Sequence, residues 1–471
     1  MEELQDILDE IVPDSNDCVI QDEEFVTTVL HLMEEYVQEN IETLMEEDFH
    51  EVFLNETFEL VLTTFGKEIQ FYNYVDCKQR IDEIADIFYD TIMPPRSYES
   101  TLILNDRVKV REITTRLDEL RNIPQPEQRT AEWYSFRHNL ITASNAYKTL
   151  MEGAEYNQII FEKCKPLYVP GENGSDKEDE KSIKMVNVET TLHWGQKFEP
   201  LSVMIYEDLY DTKIEDFGCI QHSTYTFLGA SPDGINVDSS SPRYGRMLEI
   251  KNIVNREITG IPKLEYWVQM QLQMETCQLE ECDFLETRFK EYSDESSYQN
   301  DNEDSTGYKG VIMYFSKDGK PNYQYAPLDL VKSNTRLDKW EDKQHTEMEA
   351  QGYIWVRNIY WKLEEMSCVL VKRNKRWFDT VVGTMEKTWK TVVYERENGY
   401  DHRKPMKRTK ASLTKQDETL TLKPTKCLIK LGDDEEDISV PSEIKDESEI
   451  DLLDNIKIRT ESIDETRQKI D

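Results

Sequence analysis

A mixed α/β fold follows from three features of the sequence. Two long stretches with apolar residues three and four apart, "TLHWGQKFEPLSVMIYEDLY" and "KLEYWVQMQLQMETCQ", have the spacing of helices with one buried face. Between them lie the short runs "FGCIQH", "TFLGASPDGINV" and "MLEIKNIV", which read as strands joined by turns. After the second helix, "ECDFLETRF" and "YKGVIMYFSK" supply two further strands. Helix, strands, helix, strands is the order of a central sheet flanked by helices.

The segments outside this centre differ in character. "EFVTTVLHLMEEYVQENIETLMEEDFHEVFLNETFELVLTTF" and "YVDCKQRIDEIADIFYDTIM" are predicted helices, the latter stopped by Pro94 and Pro95. They form an acidic helical segment assigned to residues 1–120. "RNIPQPEQRTAEW" is then a connector, and "AEWYSFRHNL" followed by "ITASNAYKTLM" is expected as helix, turn, helix, capped by Thr142 or Ser144. The main domain is placed at 121–400, with polar insertions at 170–183 and 291–306; the second, "SDESSYQNDNEDST", reads as too polar to pack. "DKWEDKQHTEMEAQ" is a helix, and "SCVLVKRNKRWFDTVVGTMEKTWKTVVYE" a strand leading into a helix. Residues 401–471, basic and then acidic, are expected to be disordered.

Charge and cysteine usage narrow the function. The net charge is −39, yet residues 1–60 hold twenty acids and no Lys or Arg, and residues 432–471 hold fifteen acids against five bases. These ends carry −30, leaving −9 over the 371 residues between, so a polyanionic partner is not excluded. The eight cysteines include no CxxC pair, and Cys277 and Cys282 lack partners for a zinc site, so reduced thiols are expected. No apolar run reaches membrane-spanning length, and "MEELQDILDE" is too acidic for a targeting peptide, which predicts a soluble intracellular protein.

The stretch "GASPDGINVDSSSPRYGRMLEIKN" carries the chemistry. Along a strand, Glu249 and Lys251 share one face while Ile250 takes the other. Pro232 and Gly234 force a turn that holds Asp233 at an exposed edge. Two carboxylates meeting at one place repel and call for a cation; Mg2+, with Mn2+ as the alternative, suits hard oxygen donors and keeps waters for chemistry. Lys251 is suited to orienting or deprotonating such a water. A solvated hairpin with acids on its outer face is the plainer reading of this motif alone. Glu199 in "WGQKFEP" offers a third carboxylate, Arg137 and Ser144 a cation and a hydroxyl near a helix end, and Tyr266 with Gln269 a helix face that reaches back to the sheet.

The ordered set W133xxxR137xxxITAS144, WG195xxxE199, ASPD233G, LE249IK251 and Y266xxQ269xQ271 resembles the YqaJ-type viral recombinase family, which includes the phage lambda exonuclease and belongs to the PD-(D/E)xK nucleases. The resemblance covers residues 125 to about 290. It implies a restriction-endonuclease-like core. It also implies Asp233, Glu249, the Ile250 carbonyl and Glu199 as metal ligands, and Lys251 as the residue that positions the attacking water. Arg137, Ser144, Ser231 and Gln269 correspond to the positions that hold a terminal 5′ phosphate, with Tyr266 beside them on the DNA side. The implied reaction is 5′ to 3′ hydrolysis of duplex DNA from a phosphorylated end in recombination or repair. Other implied features are a homo-oligomer (a trimer in lambda-like members), a single-strand annealing or replication partner, and a large DNA virus as source. An endonuclease of the same fold and a non-catalytic binding relative are the competing readings.

Overall fold

The computed structural model describes residues 22–40, 43, 49–66, 74–98, 106–126, 130–167, 187–188, 190–301, 307–330 and 334–404. The expected loop at 170–183 and nearly all of the tail, from residue 405, lie outside these residues, as does the acidic stretch 1–21.

Three helices open the chain: α1 (Asp22–Glu39), α2 (Phe49–Phe65) and α3 (Tyr74–Thr91). Their apolar faces close around Val29, Met33, Phe53, Phe58, Ile81 and Phe88, a core of their own. Pro94 and Pro95 end this region, as expected, and the chain then crosses to the main sheet. Helix α4 (Arg107–Asn122) is capped by Asp106, whose carboxylate accepts from the Val108 and Lys109 amides. The expected division at residue 120 runs through this helix, and its Leu117 and Leu120 belong to the central core.

The central region begins with α5 (Ala131–His138), capped by Thr130, then β1 (Ile141–Thr142) and the single turn α6 (Ala143–Ala146). Thr142 occupies the N-cap position of α6 but makes no side-chain capping bond; its hydroxyl meets Ser144 Oγ at 3.3 Å instead. Helices α7 (Ala154–Cys164) and α8 (Thr191–Leu209) follow, then β2 (Ile214–Glu215), β3 (Ile220–Gln221), β4 (Leu228–Ala230), β5 (Gly234–Asn236) and β6 (Met247–Asn252). After α9 (Leu264–Cys277) come β7 (Glu281–Glu291), α10 (Glu295–Asn300), β8 (Lys309–Lys317), β9 (Lys320–Tyr325), α11 (Asn334–Ala350), β10 (Ile354–Lys372) and α12 (Lys375–Asn398).

Seven strands form the main sheet in the order β2-β5-β6-β7-β10-β8-β9, and β1-β4-β3 form a small one. Only β6 and β7 pair in parallel within the main sheet, joined through α9; all its other pairs are antiparallel. Side-chain alternation divides β6 between two layers. Leu248 and Ile250 pack with Tyr206 and Val203 of α8, whereas Met247 faces Trp267, Val268 and Met270 of α9. Glu249 and Lys251, having the same parity as Met247, therefore lie under α9.

Two elements depart from expectation. The segment 291–306 is not wholly loose: Asp294 caps α10 through the Ser297 amide, and Tyr298 is buried against Val311, Ala326 and Leu337. One aromatic ring in a polar run was enough to anchor it. Strand β10 runs nineteen residues, beginning well before the predicted "SCVLVK", and pairs with β8 through its first half and β7 through its second. Bulges between Trp355 and Arg357 and between Leu363 and Glu365 break its alternation, which hides the strand from a period-two reading. Among the described residues no helix is long and apolar enough to cross a membrane.

The turn between β5 and β6 depends on Gly245, at φ +79°, where a Cβ would meet Ile113 Cγ2 of α4 at 2.5 Å. Gly245→Ala is expected to lose about 2 kcal/mol of stability, from left-handed strain together with overpacking. A urea midpoint measured on wild type and variant checks this.

Candidate active site

Asp233 follows β4 by three residues, and its Oδ2 accepts from the Ile250 amide of β6 at 2.7 Å. That bond closes the turn onto the next strand and draws the carboxylate inward: Asp233 is half-buried, not held at an exposed edge. Burial, then the charges of Glu249 and Glu199, push its carboxyl well above the usual carboxylate range, against the pull of Lys251. Glu249 is 1% exposed. Its Oε1 accepts from Lys251 Nζ at 2.5 Å and from Gln269 Nε2 at 2.7 Å, and its Oε2 from Gln273 Nε2 at 2.7 Å. Lys251 Nζ also reaches Gln269 Oε1 at 3.4 Å and lies 4.7 Å from the centre of the Tyr266 ring. Burial lowers the affinity of this ammonium for its proton, but Glu249 and Asp233 outweigh it and hold the lysine above its ordinary value.

Helix α8 brings Glu199 to the same end of β6. Asn252 donates to the Gly195 carbonyl at 3.0 Å and accepts from Ser202 Oγ at 2.8 Å, so residues on either side of Glu199 are fastened to the strand that carries Glu249. Among the described residues no group of three or more His, Cys, Asp or Glu side chains is arranged to hold a metal. Asp233, Glu249 and Glu199 share an electrostatic neighbourhood, but Glu249 is engaged with Lys251 and two glutamines.

A second constellation adjoins the acids. Arg137, in the last turn of α5, donates to Ser231 Oγ at 3.0 Å and Ser144 Oγ at 3.2 Å, and lies 4.5 Å from the centre of the Trp133 ring. Burial lowers its guanidinium from the ordinary value. Ser231 stands two residues before Asp233, and Gln273 Nε2, which binds Glu249, also donates to the Ser231 carbonyl at 3.2 Å. The cation-hydroxyl cluster and the acidic cluster are thus ends of one short segment.

Not all expected residues fall where their grouping suggested. Gln269 and Tyr266 sit beside Glu249 and Lys251, and their contacts do not include Arg137, Ser144 or Ser231. Gln271 faces away altogether: it donates to the Lys372 carbonyl at 2.9 Å and accepts from the Asn374 amide at 2.6 Å, fixing the β10–α12 turn. The residue that reasoning from sequence missed is Gln273, four after Gln269 and so on the same helical face.

An acid–lysine centre on a mixed sheet flanked by helices thus adjoins a guanidinium–hydroxyl cluster whose chemistry suits a phosphate group. Residues 132–280 match the model of the YqaJ-like viral recombinase domain. It is 27% identical over 358 residues to an uncharacterised protein of Acanthamoeba polyphaga mimivirus, a match that spans 68% of this chain and 62% of that protein. Among solved structures it is similar to an alkaline exonuclease from Laribacter hongkongensis, seen also in complex with dAMP, at 17% identity and a TM-score of 0.30, covering 58% of this chain and 95% of the other. A phage-related exonuclease from Haemophilus somnus gives 9% identity, a TM-score of 0.27, and coverage of 55% and 94%.

Proposed function

We propose that the chain is a divalent-metal-dependent exonuclease that degrades one strand of duplex DNA from a 5′-phosphorylated end in the 5′ to 3′ direction. The observation that carries this reading is the coupling of the two clusters through Ser231, Pro232 and Asp233. A terminal phosphate held by Arg137, Ser144 and Ser231 would lie within a nucleotide or so of the acids, which turns end recognition into positioning of the first phosphodiester.

Asp233, Glu249, the Ile250 carbonyl and Glu199 would supply the hard oxygen donors for such a metal. Burial first, and then the charges of Glu249 and Glu199, raise the Asp233 carboxyl, and a magnesium or manganese ion would offset that negative charge. Such an ion supplies Lewis acidity and a bound water of lowered pKa. The remaining work belongs to the protein. Lys251, protonated through the neutral range, is placed to orient a nucleophile and to neutralise charge growing on the phosphoryl oxygens. Gln269 and Gln273 fix the rotamer of Glu249, and Tyr266 walls the lysine on one side. Contacts of this kind go to the backbone and the strand terminus, so base specificity is low and affinity falls with salt.

Digestion of end-labelled duplex tests the proposal. Linear DNA with a 5′ phosphate is expected to release mononucleotides in magnesium at about tenfold or more the rate of the 5′-hydroxyl duplex, the worth of a charge-assisted contact. Covalently closed circles remain intact, and chelator stops the reaction. Cutting of circles at a comparable rate, or full activity in chelator, rejects the proposal.

A further inference from the structure

The pocket around Arg137 contains more positive charge than its own hydrogen bonds require. Lys163, in the last turn of α7, is 6% exposed, and its Nζ donates to the Arg137 carbonyl at 2.9 Å. That carbonyl is its one hydrogen-bond partner among the described residues, although an ammonium has three donors. Arg396 of α12 completes the group: Nε donates to the Lys163 carbonyl at 2.9 Å, and Nη2 to the His138 carbonyl at 2.9 Å. Lys163, Arg137 and Arg396 form no ion pair among the described residues, whereas most other buried cations here do, as Arg243, Arg246 and Lys197 show.

Burying an ammonium without a counter-ion is expensive, so its retention calls for a reason. Part of the reason is local. Helices α5 and α7 both end here, and the carbonyls of their last turns carry partial negative charge. Lys163 and Arg396 cover three of these carbonyls, those of Arg137, His138 and Lys163. One guanidinium balances half of a phosphate monoester's two charges, and a second cation balances the rest.

We infer that Lys163 is a positioning residue of the end-binding pocket, the second cation that makes the pocket select a dianionic phosphate monoester over an uncharged 5′ hydroxyl. The inference rests on the reading of Arg137 given above. Lys163 acts by holding the Arg137 backbone and by adding its own charge behind the guanidinium. Burial, then the charge of Arg137, lowers its ammonium to about 8, with Arg396 of α12 acting in the same direction and Glu162 and Cys219 opposing. The lysine is charged below that pH and loses its charge above it, while the phosphate stays dianionic throughout.

The test is binding of the full chain to duplex oligonucleotides with a 5′ phosphate or a 5′ hydroxyl, read by fluorescence anisotropy in chelator. Wild type is expected to prefer the phosphate, with the preference declining between pH 7 and 9. Lys163→Met reduces the preference by about tenfold. Lys163→Arg retains it and abolishes the decline, because arginine does not titrate there. Thermal denaturation identifies variants that are simply unfolded, and Lys163→Arg stands in for them. A folded Lys163→Met that keeps the wild-type preference, beside an Arg137→Ala that loses it, overturns this inference alone. Absence of any preference in wild type overturns the pocket itself.

Discussion

Lys251→Ala is expected to lower kcat on 5′-phosphorylated duplex by about 10²–10⁴-fold, the range in which positioned acid–base and electrostatic groups contribute. The side chain is enclosed by Glu249 at 2.5 Å, Gln269 at 3.4 Å and the Tyr266 ring at 4.7 Å, so no other ammonium can swing into its place. Its proton is held more tightly than in free lysine by Glu249 and Asp233. In this state it is a donor and a charge; a cation held by Asp233 and Glu249 would compete for those carboxylates and loosen its proton. The variant removes one partner of a buried ion pair, so stability must be measured alongside rate. Lys251→Met keeps the volume and the contact with Tyr266 and separates the two effects. Single-turnover cleavage in magnesium, with thermal denaturation on the same samples, checks the expectation. A folded variant within tenfold of wild type would exclude the lysine from the reaction.

The centre of this site was legible because strands and helices with one buried face leave a periodic record. Within "MLEIKN" the four residues Leu248 to Lys251 alternate apolar and charged, and that parity alone separates Glu249 and Lys251 from Ile250. Helices α8 and α9 are equally open to reading, since their apolar faces repeat at helical spacing. What parity could not reveal is that the Glu249 side is also buried, because covering it required α9 to cross over the sheet. Gln273 went unread for a related reason: it shares one polar-apolar helix with Gln271, and only the helix rotation distinguishes them. Lys163 and Arg396 left no signal at all. Their role arises where α5, α7 and α12 meet, from residues 137, 163 and 396, and either lysine in "FEKCK" reads as solvated. In β10 the bulges erase the alternation that betrayed β6.

The same blindness applies to a buried ionic cluster that joins the amino-terminal region to the sheet, and here the expected effect on stability is large. Asp283 of β7 is fully buried. Its carboxylate accepts from Tyr206 Oη at 2.6 Å, Ser97 Oγ at 2.7 Å and Arg243 Nη1 at 2.7 Å, with Arg246 Nη1 at 3.3 Å. Ser97 also bonds Arg243 through its hydroxyl, and its amide donates to the Cys368 carbonyl at 2.9 Å. Arg246 shares a second carboxylate, Glu281, at 2.8 Å, but Arg243 has Asp283 alone as an ion-pair partner among the described residues. Asp283→Ala would leave one buried guanidinium without its anion and Tyr206 without its acceptor. A loss of about 3–5 kcal/mol is expected, the cost of breaking a buried pair by removing one partner. Replacing the pair together, as Arg243→Met with Asp283→Leu, should recover part of that loss, since the penalty comes from the orphaned charge more than from the pair's net worth. Urea unfolding followed by tryptophan fluorescence gives the midpoints. Because Ser97 links α3 to the sheet through this carboxylate, the single variant should also expose the segment after Pro95 to limited proteolysis before global unfolding. A midpoint shift equivalent to less than about 1 kcal/mol would mean that water or a rearranged Glu281 takes over the role of Asp283.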